Sequence, residues 1–499
     1  MTALCGKVIA IAGRRNADRP VGFQARGVIV SVHRIVVVGG GAGGLELVTR
    51  LGDKYGRGKD VQITLVDRSM SHIWKPLLHE VAAGVMDTAT HQLSYVAQAN
   101  WHHFEFAAGE MIGLDRAAKT ITLAALPAAA DEGEGDLLPE RTLPYDTLVL
   151  AIGSTTNFFG VKGAQENTIA LDTVEQAERF RRRLMAACVR AQNAAQTPPV
   201  APSADAAPPA GATSPDATPA TGGASSVTIS AEDRRKVNLV IVGAGATGVE
   251  LSAELRNTAE VLRSYGLKLD PRKDVRITII ESSPRILKAL PERVSSAVAG
   301  LLGKLDVDIL CGDSVAEVRP NEVTTTGGKV LPADITVWSA GITAPAVLGT
   351  LGLAVNRLNQ IEVQPTLQSV TDPDIFAFGD CASCAWPDHG FVPPRAQAAH
   401  QQASFLVKAI EARLKGQSLP TFTYRDFGSL VSLGKFSAVG NLMGGLIGGS
   451  MFIEGLFARV MYTSLYRMHV AALHGVWRMM LDTVANRLRR STVPRVKLH

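Results

Sequence analysis

An α/β fold with two parallel-sheet domains is predicted by three observations on this chain of 499 residues. The stretch His33 to Leu45 runs an unbroken β-branched strand, Ile35 to Val38, straight into Gly39, Gly41 and Gly44 at G-x-G-x-x-G spacing. The same construction recurs where Val237 to Val242 enters Gly243, Gly245 and Gly248. Each unit is followed by a second apolar strand that ends in an acid, Val61 to Val66 before Asp67 and Val275 to Ile280 before Glu281.

The glycine spacing has a mechanical reason. The first glycine makes the tight turn, the second lets the backbone approach a pyrophosphate, and the third lets the next helix pack on the strand. The helix N-terminus then faces the phosphates. Asp67, 23 residues past Gly44, can accept hydrogen bonds from an adenosine ribose. In the second unit 33 residues separate Gly248 from Glu281, which predicts a longer first helix and a turn at DPRKD, 270–274. Glu281 would bond both ribose hydroxyls and repel a 2′-phosphate, favouring NADH over NADPH, with Arg285 nearby as a counterweight. These are two Rossmann-like dinucleotide-binding domains, read as one tightly held flavin and one exchangeable nicotinamide.

A composition of 46% hydrophobic and 19% charged residues excludes disorder throughout. The net charge of +5 is unevenly placed: residues 451–499 carry eight Lys or Arg against two acids, so the other 450 sum to −1. A tail both basic and apolar suits an anionic membrane surface and not nucleic acid. Five scattered cysteines do not make a disulfide framework. Ser437 to Ile453 is uncharged but broken by five glycines, so no transmembrane helix is expected, nor any metal site.

Along the chain, residues 1–32 form an N-terminal extension whose arginines a transit peptide would share. SHIWKPLLHEVAAG, 71–84, is a proline turn leading into a short apolar helix, with Lys75 where the chain returns past the cofactor. YDTLVLAIGS, 145–154, is a strand closed by Gly153, either a crossing out of the first domain or a plain strand end. Residues 191–231, rich in Ala, Pro, Ser and Thr, cannot bury enough surface to offset ordering entropy and are expected to be a disordered insertion. DITVWSAG, 334–341, ends at Gly341 and would return the chain to the first domain. DIFAFGDCA, 374–382, ends a strand at Asp380, which can bond the ribityl hydroxyls of a flavin. Cys381 and Cys384 have the spacing of a redox dithiol but are read as part of that turn. A helix is expected from Gly455 to Arg490, with Arg467, Arg478 and Arg489 on one face and Tyr462, Leu465, Leu473, Val476 and Met480 roughly opposite. It would lie in a membrane interface, pack on the core or meet a second copy.

Taken in order, GGGAGG, AIGS, GAGATGVE, WSAG and AFGDCA resemble the two-dinucleotide-binding flavoprotein reductases, whose nicotinamide domain is inserted in a split flavin domain. PPRAQAAHQQA at 393–403, with PLLHEVAAG and GSLVSLGKF, narrows the resemblance to the type II, non-proton-pumping NADH:quinone oxidoreductases, over roughly residues 33–190 and 233–499. The resemblance implies FAD at Gly39, Gly41, Gly44, Asp67 and Asp380, with Lys75 and Gly153 alongside, and NADH at Gly243, Gly245, Gly248 and Glu281, with Gly341 alongside. It implies a plan of FAD domain at 33–190 and 342–436, NADH domain at 232–341 and a membrane-associating region at 437–499.

It further implies that Gln397 and Gln401 line a quinone pocket and that Glu250 lies near nicotinamide and flavin. By residue type alone these are two glutamines on one helix face and a first-turn carboxylate favoured by the helix dipole. His400 between the glutamines reads as a packed or solvated residue. The implied activity is FAD-dependent oxidation of NADH with reduction of a membrane quinone, ubiquinone or menaquinone, without proton pumping. The implied location is the cytoplasmic face of a bacterial inner membrane, with a homodimer possible. Rival readings are a sulfide:quinone oxidoreductase, which needs paired cysteines near the flavin, an NADH-dependent disulfide reductase using Cys381 and Cys384, and a flavin redox sensor.

Overall fold

The structure is a computed structural model that describes residues 32–128, 135–196, 236–444, 449–489 and 496. The expected extension at 1–32 lies almost wholly outside the described residues, as does the expected insertion from 197 onward.

Strand β1 (His33–Val38) passes through the first glycine loop into α1 (Ala42–Tyr55), then β2 (Val61–Asp67), β3 (Glu105–Ala108) and β4 (Thr147–Leu150). Next come β5 (Ile169–Ala170), α2 (Val174–Gln196), β6 (Val237–Val242), α3 (Ala246–Ser264), β7 (Val275–Glu281), β8 (Val307–Cys311) and β9 (Ile335–Trp338). The chain closes with β10 (Ile375–Ala377), α4 (Ala396–Leu414), β11 (Gly428–Leu433), β12 (Ser437–Gly444), β13 (Gly449–Glu454) and α5 (Gly455–Arg489).

Two five-stranded parallel sheets result, in the orders β10-β4-β1-β2-β3 and β5-β9-β6-β7-β8. Both central strands are apolar on both faces because both faces are covered: in the second sheet Val237, Leu239 and Ile241 pack on helices, while Val240 and Val242 pack on Val315, Val318 and Val323 of a small antiparallel sheet, which is why the strand reads as an unbroken apolar run. The helix α3 has 19 residues against 14 in α1, and the turn at 271–274 follows it, accounting for the long spacing to Glu281.

The chain crosses between the sheets twice, and the crossings pair with each other: Thr155–Thr156 lies antiparallel to Ile342–Thr343. Gly153 and Gly341 precede them, both at φ 71°, a left-handed turn that a side chain resists. AIGS is therefore a domain crossing, as WSAG is. This moves the first domain boundary. Composition put it at the insertion, near residue 190, but β5 pairs with β9 and α2 packs on β5, β6 and β9, so both belong to the second sheet. Residues 191–196, expected in the insertion, are the end of α2.

Beyond β10, α4 packs along α1, and a Cβ at Gly43 would press on the Phe378 ring and the Ala399 carbonyl oxygen. Residues 437–444 and 449–454, expected as the start of a membrane-associating region, form β12 and β13 of an antiparallel sheet with β11. The expected boundary at 436/437 thus falls inside a hairpin turn. Helix α5 packs on that sheet but breaks at Gly475 (φ 79°, ψ 160°), so the arginine repeat at 467, 478 and 489 is not one continuous face. Nor do the expected apolar residues share a face: Leu473 is buried, Tyr462 half-buried, and Leu465, Val476 and Met480 are exposed. A sequence repeat cannot register a kink that one glycine introduces. Among the described residues no helix is long and apolar enough to cross a membrane.

A Cβ at Gly44 would fall on the Gly39 carbonyl oxygen, and one at Gly248 on that of Gly243, far inside contact distance. At Gly245 nothing lies within 4 Å. Gly248→Ala is expected to lower stability by about 1–3 kcal/mol through overpacking against backbone, while Gly245→Ala stays within about 0.5 kcal/mol; thermal denaturation of the two variants checks the contrast.

Candidate functional site

A continuous cavity of about 2400 Å³ runs from the first glycine loop to the second and on between α4 and α5. At one end Gly41 caps α1 with no side-chain hydrogen bond and with open space where a Cβ would stand. Gly245 caps α3 in the same way at the other end. Helix N–H groups thus face the cavity at two places, each fit for a pyrophosphate.

The two strand-end acids behave alike. The Gly40 N–H donates to Asp67 Oδ2 (2.6 Å) and the Ser69 N–H to Oδ1 (2.8 Å). The Ala244 N–H donates to Glu281 Oε2 (2.8 Å) and the Ser283 N–H to Oε1 (2.8 Å). Each acid was expected to meet a ribose; each first ties its own glycine loop. A carboxylate has about four lone-pair sites, so acceptance from ribose hydroxyls remains open to both. Burial pushes the Asp67 carboxyl up despite those amides.

Asp380 accepts the Ser154 hydroxyl at 2.8 Å, beside the first crossing, and burial pushes its carboxyl up as well. Lys75 donates to the Ser154 carbonyl (2.9 Å) and to Asp172 Oδ1 (2.9 Å), while the Thr156 N–H donates to Asp172 Oδ2 (2.8 Å). Lys75 therefore clamps the crossing as well as lining the cavity. Asp172 was not singled out in the sequence, where nothing distinguishes it from any loop aspartate.

Glu250 stands where four elements meet. Its Oε1 accepts the Ser432 N–H from β11 (2.9 Å), the Tyr462 hydroxyl of α5 donates to its carboxyl, and His79 Nδ1 lies 3.7 Å from Oε2. Burial pushes the Glu250 carboxyl up to about 8 and holds His79 down at about 4, so both are neutral at pH 7. A protonated carboxyl and a neutral imidazole at the centre of a cavity can hold or pass a proton without stranding a charge.

Gln397 and Gln401 are brought together, but both amides are engaged by one segment. Gln397 donates to Asp426 and the Gly428 carbonyl (3.1 Å each) and accepts the Phe427 N–H (3.2 Å). Gln401 exchanges two bonds with the Arg425 backbone (2.8 and 3.0 Å). They hold the wall formed by residues 425–428 against α4. His400, read as packed or solvated, instead meets the buried Glu46 through Nδ1 and lines the cavity. Glu46 was missed, although it repeats Glu250's place after the third glycine.

Cys381 and Cys384 are buried, unpaired thiols, each pushed up to about 11 by burial, the opposite of an activated thiolate. Among the described residues no cysteine lines the cavity.

Residues 33–403 match the pyridine nucleotide-disulphide oxidoreductase family. Over 469 residues, 94% of this chain and 100% of the relative, the sequence is 41% identical to a type II NADH:quinone oxidoreductase of Haemophilus influenzae. A type II NADH:quinone oxidoreductase of Mycobacterium tuberculosis is 25% identical over 88% of this chain and 86% of its own length. Among solved structures, NDH2 from Plasmodium falciparum in complex with NADH has a similar fold, with a TM-score of 0.72 at 16% identity, covering 92% of this chain and 98% of that one.

The Glu250 carboxyl titrates at about 8 when folded against an ordinary value of 4.5. Folding is therefore disfavoured progressively as pH rises through that window, by about 1.4 kcal/mol per pH unit at most. Glu250→Gln, uncharged throughout, is expected to fall less in melting temperature than the natural protein between about pH 5 and 8; melting curves across that range check it.

Proposed function

The chain belongs to the type II NADH:quinone oxidoreductases of the pyridine nucleotide-disulphide oxidoreductase family, and from that premise we propose how its residues serve the reaction and where it sits. It uses FAD to oxidise NADH and reduces a quinone. The observation that carries the reading is a single cavity that joins two uncapped glycine loops, with neutral Glu250 between them and no cysteine on its wall among the described residues.

FAD, when bound, accepts a hydride from NADH and releases its electrons in pairs to a quinone. The residues of this chain position the reactants. Gly39, Gly41 and Gly44 with α1 would hold the flavin nucleotide's pyrophosphate, Asp67 its ribose, and Asp380 its ribityl chain beside Lys75 and Gly153. Gly243, Gly245, Gly248 and α3 would hold NADH, with Glu281 on the ribose and Gly341 at the crossing. Gln397 and Gln401 fix the 425–428 wall along which a quinone would enter, and Glu250 handles a proton between nicotinamide and flavin. No proton is pumped in this scheme. The buried, high-titrating thiols argue against the sulfide and disulfide rivals.

Helix α5 supports attachment to an anionic bilayer. It brings Tyr462 and His469 to the cavity, while Leu456 (76%), Phe457, Val460 and Met468 before the break at Gly475, and Trp477 (73%) and Leu481 after it, are exposed. Apolar side chains of that size with Arg467 and Arg478 nearby fit the headgroup boundary, and they would set the cavity against the membrane. A second copy could use the same side chains for a homodimer. NADH as substrate and free thiols suit the cytoplasmic face of a bacterial inner membrane.

Anaerobic NADH is expected to bleach the flavin of the loaded protein, and a short-chain quinone to restore its colour, both undiminished in Cys384→Ser; bleaching by sulfide and not by NADH would favour the rival. Trp477→Glu and Phe457→Glu together are expected to weaken sedimentation with anionic vesicles about tenfold or more, leaving reaction with the soluble quinone intact.

A further inference from the structure

The two dinucleotide loops share a feature beyond their glycines. Glu46 stands two residues after Gly44, as Glu250 stands two after Gly248. Both line the cavity, with only 1% and 6% of their surface exposed, and each meets an imidazole. For Glu250 this is His79, whose Nδ1–H donates to the Pro76 carbonyl (2.9 Å) and stands 3.7 Å from the carboxyl; for Glu46 it is His400, whose Nδ1–H donates to Oε2 directly. The other oxygen of Glu46 is held by Arg50 (2.7 Å) and by the Ser404 hydroxyl (3.4 Å). With Nδ1 committed to Glu46, His400 has only Nε2 left to offer the cavity.

His469 of α5 defines what faces that ring. His72 Nδ1 lies 2.9 Å from the Gly40 carbonyl, which can only accept, so Nδ1 carries the proton and Nε2 of the neutral ring accepts. Burial holds His72 down at about 4 and His469 well below its ordinary range, so both rings are neutral. The His469 Nε2, 2.9 Å from His72 Nε2, is then the donor, and His469 Nδ1 is left a bare acceptor with no partner among the described residues. The His469 and His400 ring centroids are 5.2 Å apart. The charged and titratable groups around His400 are thus Glu46 and Arg50 from α1, His469 with His72 behind it, and Lys408 two turns along its own helix.

Resting on the NADH:quinone reading, we propose that Glu46 is a positioning residue for quinone reduction, aiming His400 so that its Nε2–H gives the quinone the one proton the reaction draws from the medium. The balance is NADH + H⁺ + quinone → NAD⁺ + quinol. The nicotinamide C–H bond breaks, and its electron pair and hydrogen leave together. Two O–H bonds form on the quinone; one hydrogen traces to the hydride, the other to the His400 N–H bond, which breaks and is remade from solvent. The carboxylate fixes the tautomer and orientation of the imidazole and shares its charge when it is protonated, as a buried carboxylate does for a catalytic histidine elsewhere.

The test is anaerobic stopped flow on the FAD-loaded protein between about pH 6 and 9, following bleaching by NADH and reoxidation by a short-chain quinone separately. Glu46→Gln is expected to leave bleaching within about twofold, slow reoxidation about tenfold or more, and move its alkaline fall by roughly one pH unit toward acid. Glu46→Asp restores part of both. His400→Asn gives the same loss, and the double variant loses no more than either alone. An unmoved pH profile in Glu46→Gln, a natural profile in His400→Asn, or losses that multiply in the double variant would overturn the proposal. Should Glu46→Gln fail to hold FAD, His400→Asn decides alone. If quinone does not reoxidise the natural protein at all, the NADH:quinone reading itself falls, whatever the variants do.

Discussion

At Gly44 and Gly248 a helix approaches a strand so closely that the space of one methyl group is already taken by a carbonyl oxygen. The chain depends on those two missing atoms. With a side chain there, each helix would stand away from its sheet and its N-terminal amides would turn from the cavity. Both loops solve the same packing problem, four of the five strands of each sheet follow the same order, and the acid at the end of each second strand ties its loop through a backbone amide. Dinucleotide recognition follows from that geometry: free N–H groups, a helix dipole and an acidic neighbour, set at both ends of one space.

What fills the middle comes from the rest of the chain. The glutamate two residues beyond each third glycine is buried against the cavity on the first helix, and Glu46 has Arg50 of its own helix beside it. Its other partners arrive from elsewhere in the chain: His79, Ser432 and Tyr462 at Glu250, and His400 and Ser404 at Glu46. Helix α5 contributes to both sides, through Tyr462 and His469, while leaving apolar side chains exposed. The helix with the most exposed apolar side chains is therefore also part of the cavity wall.

Burial sets the chemistry of this centre. Glu250 carries its proton to about pH 8 because desolvation outweighs the Ser432 amide and the Tyr462 hydroxyl that favour its charged form. His79, His72 and His469 are kept neutral by the same cause. Neutral groups that can exchange protons suit a cavity in which a carrier of two electrons must also become a carrier of two hydrogens.

The two glycine loops, their strands, the longer α3 and the return at Gly341 were legible in the sequence, because a tight turn, a close backbone approach and a buried parallel strand each restrict residue type locally; Gly153 read equally as a crossing or a strand end until its partner strand was in place. The domain boundary was not: composition marked the low-complexity zone near 191, whereas the chain had already crossed at 153, and a two-residue strand such as β5 leaves no pattern to read. The register of α5 was hidden by one glycine at 475. Glu46 with His400 could have been found from the repeat of Glu250's position, but its meaning could not, since a glutamate on a helix is ordinary until a second helix lays an imidazole on it. Local steric limits wrote the two parallel sheets and their glycine loops into the sequence; which proton-bearing groups converge, and how burial shifts them, was decided only by packing between segments hundreds of residues apart.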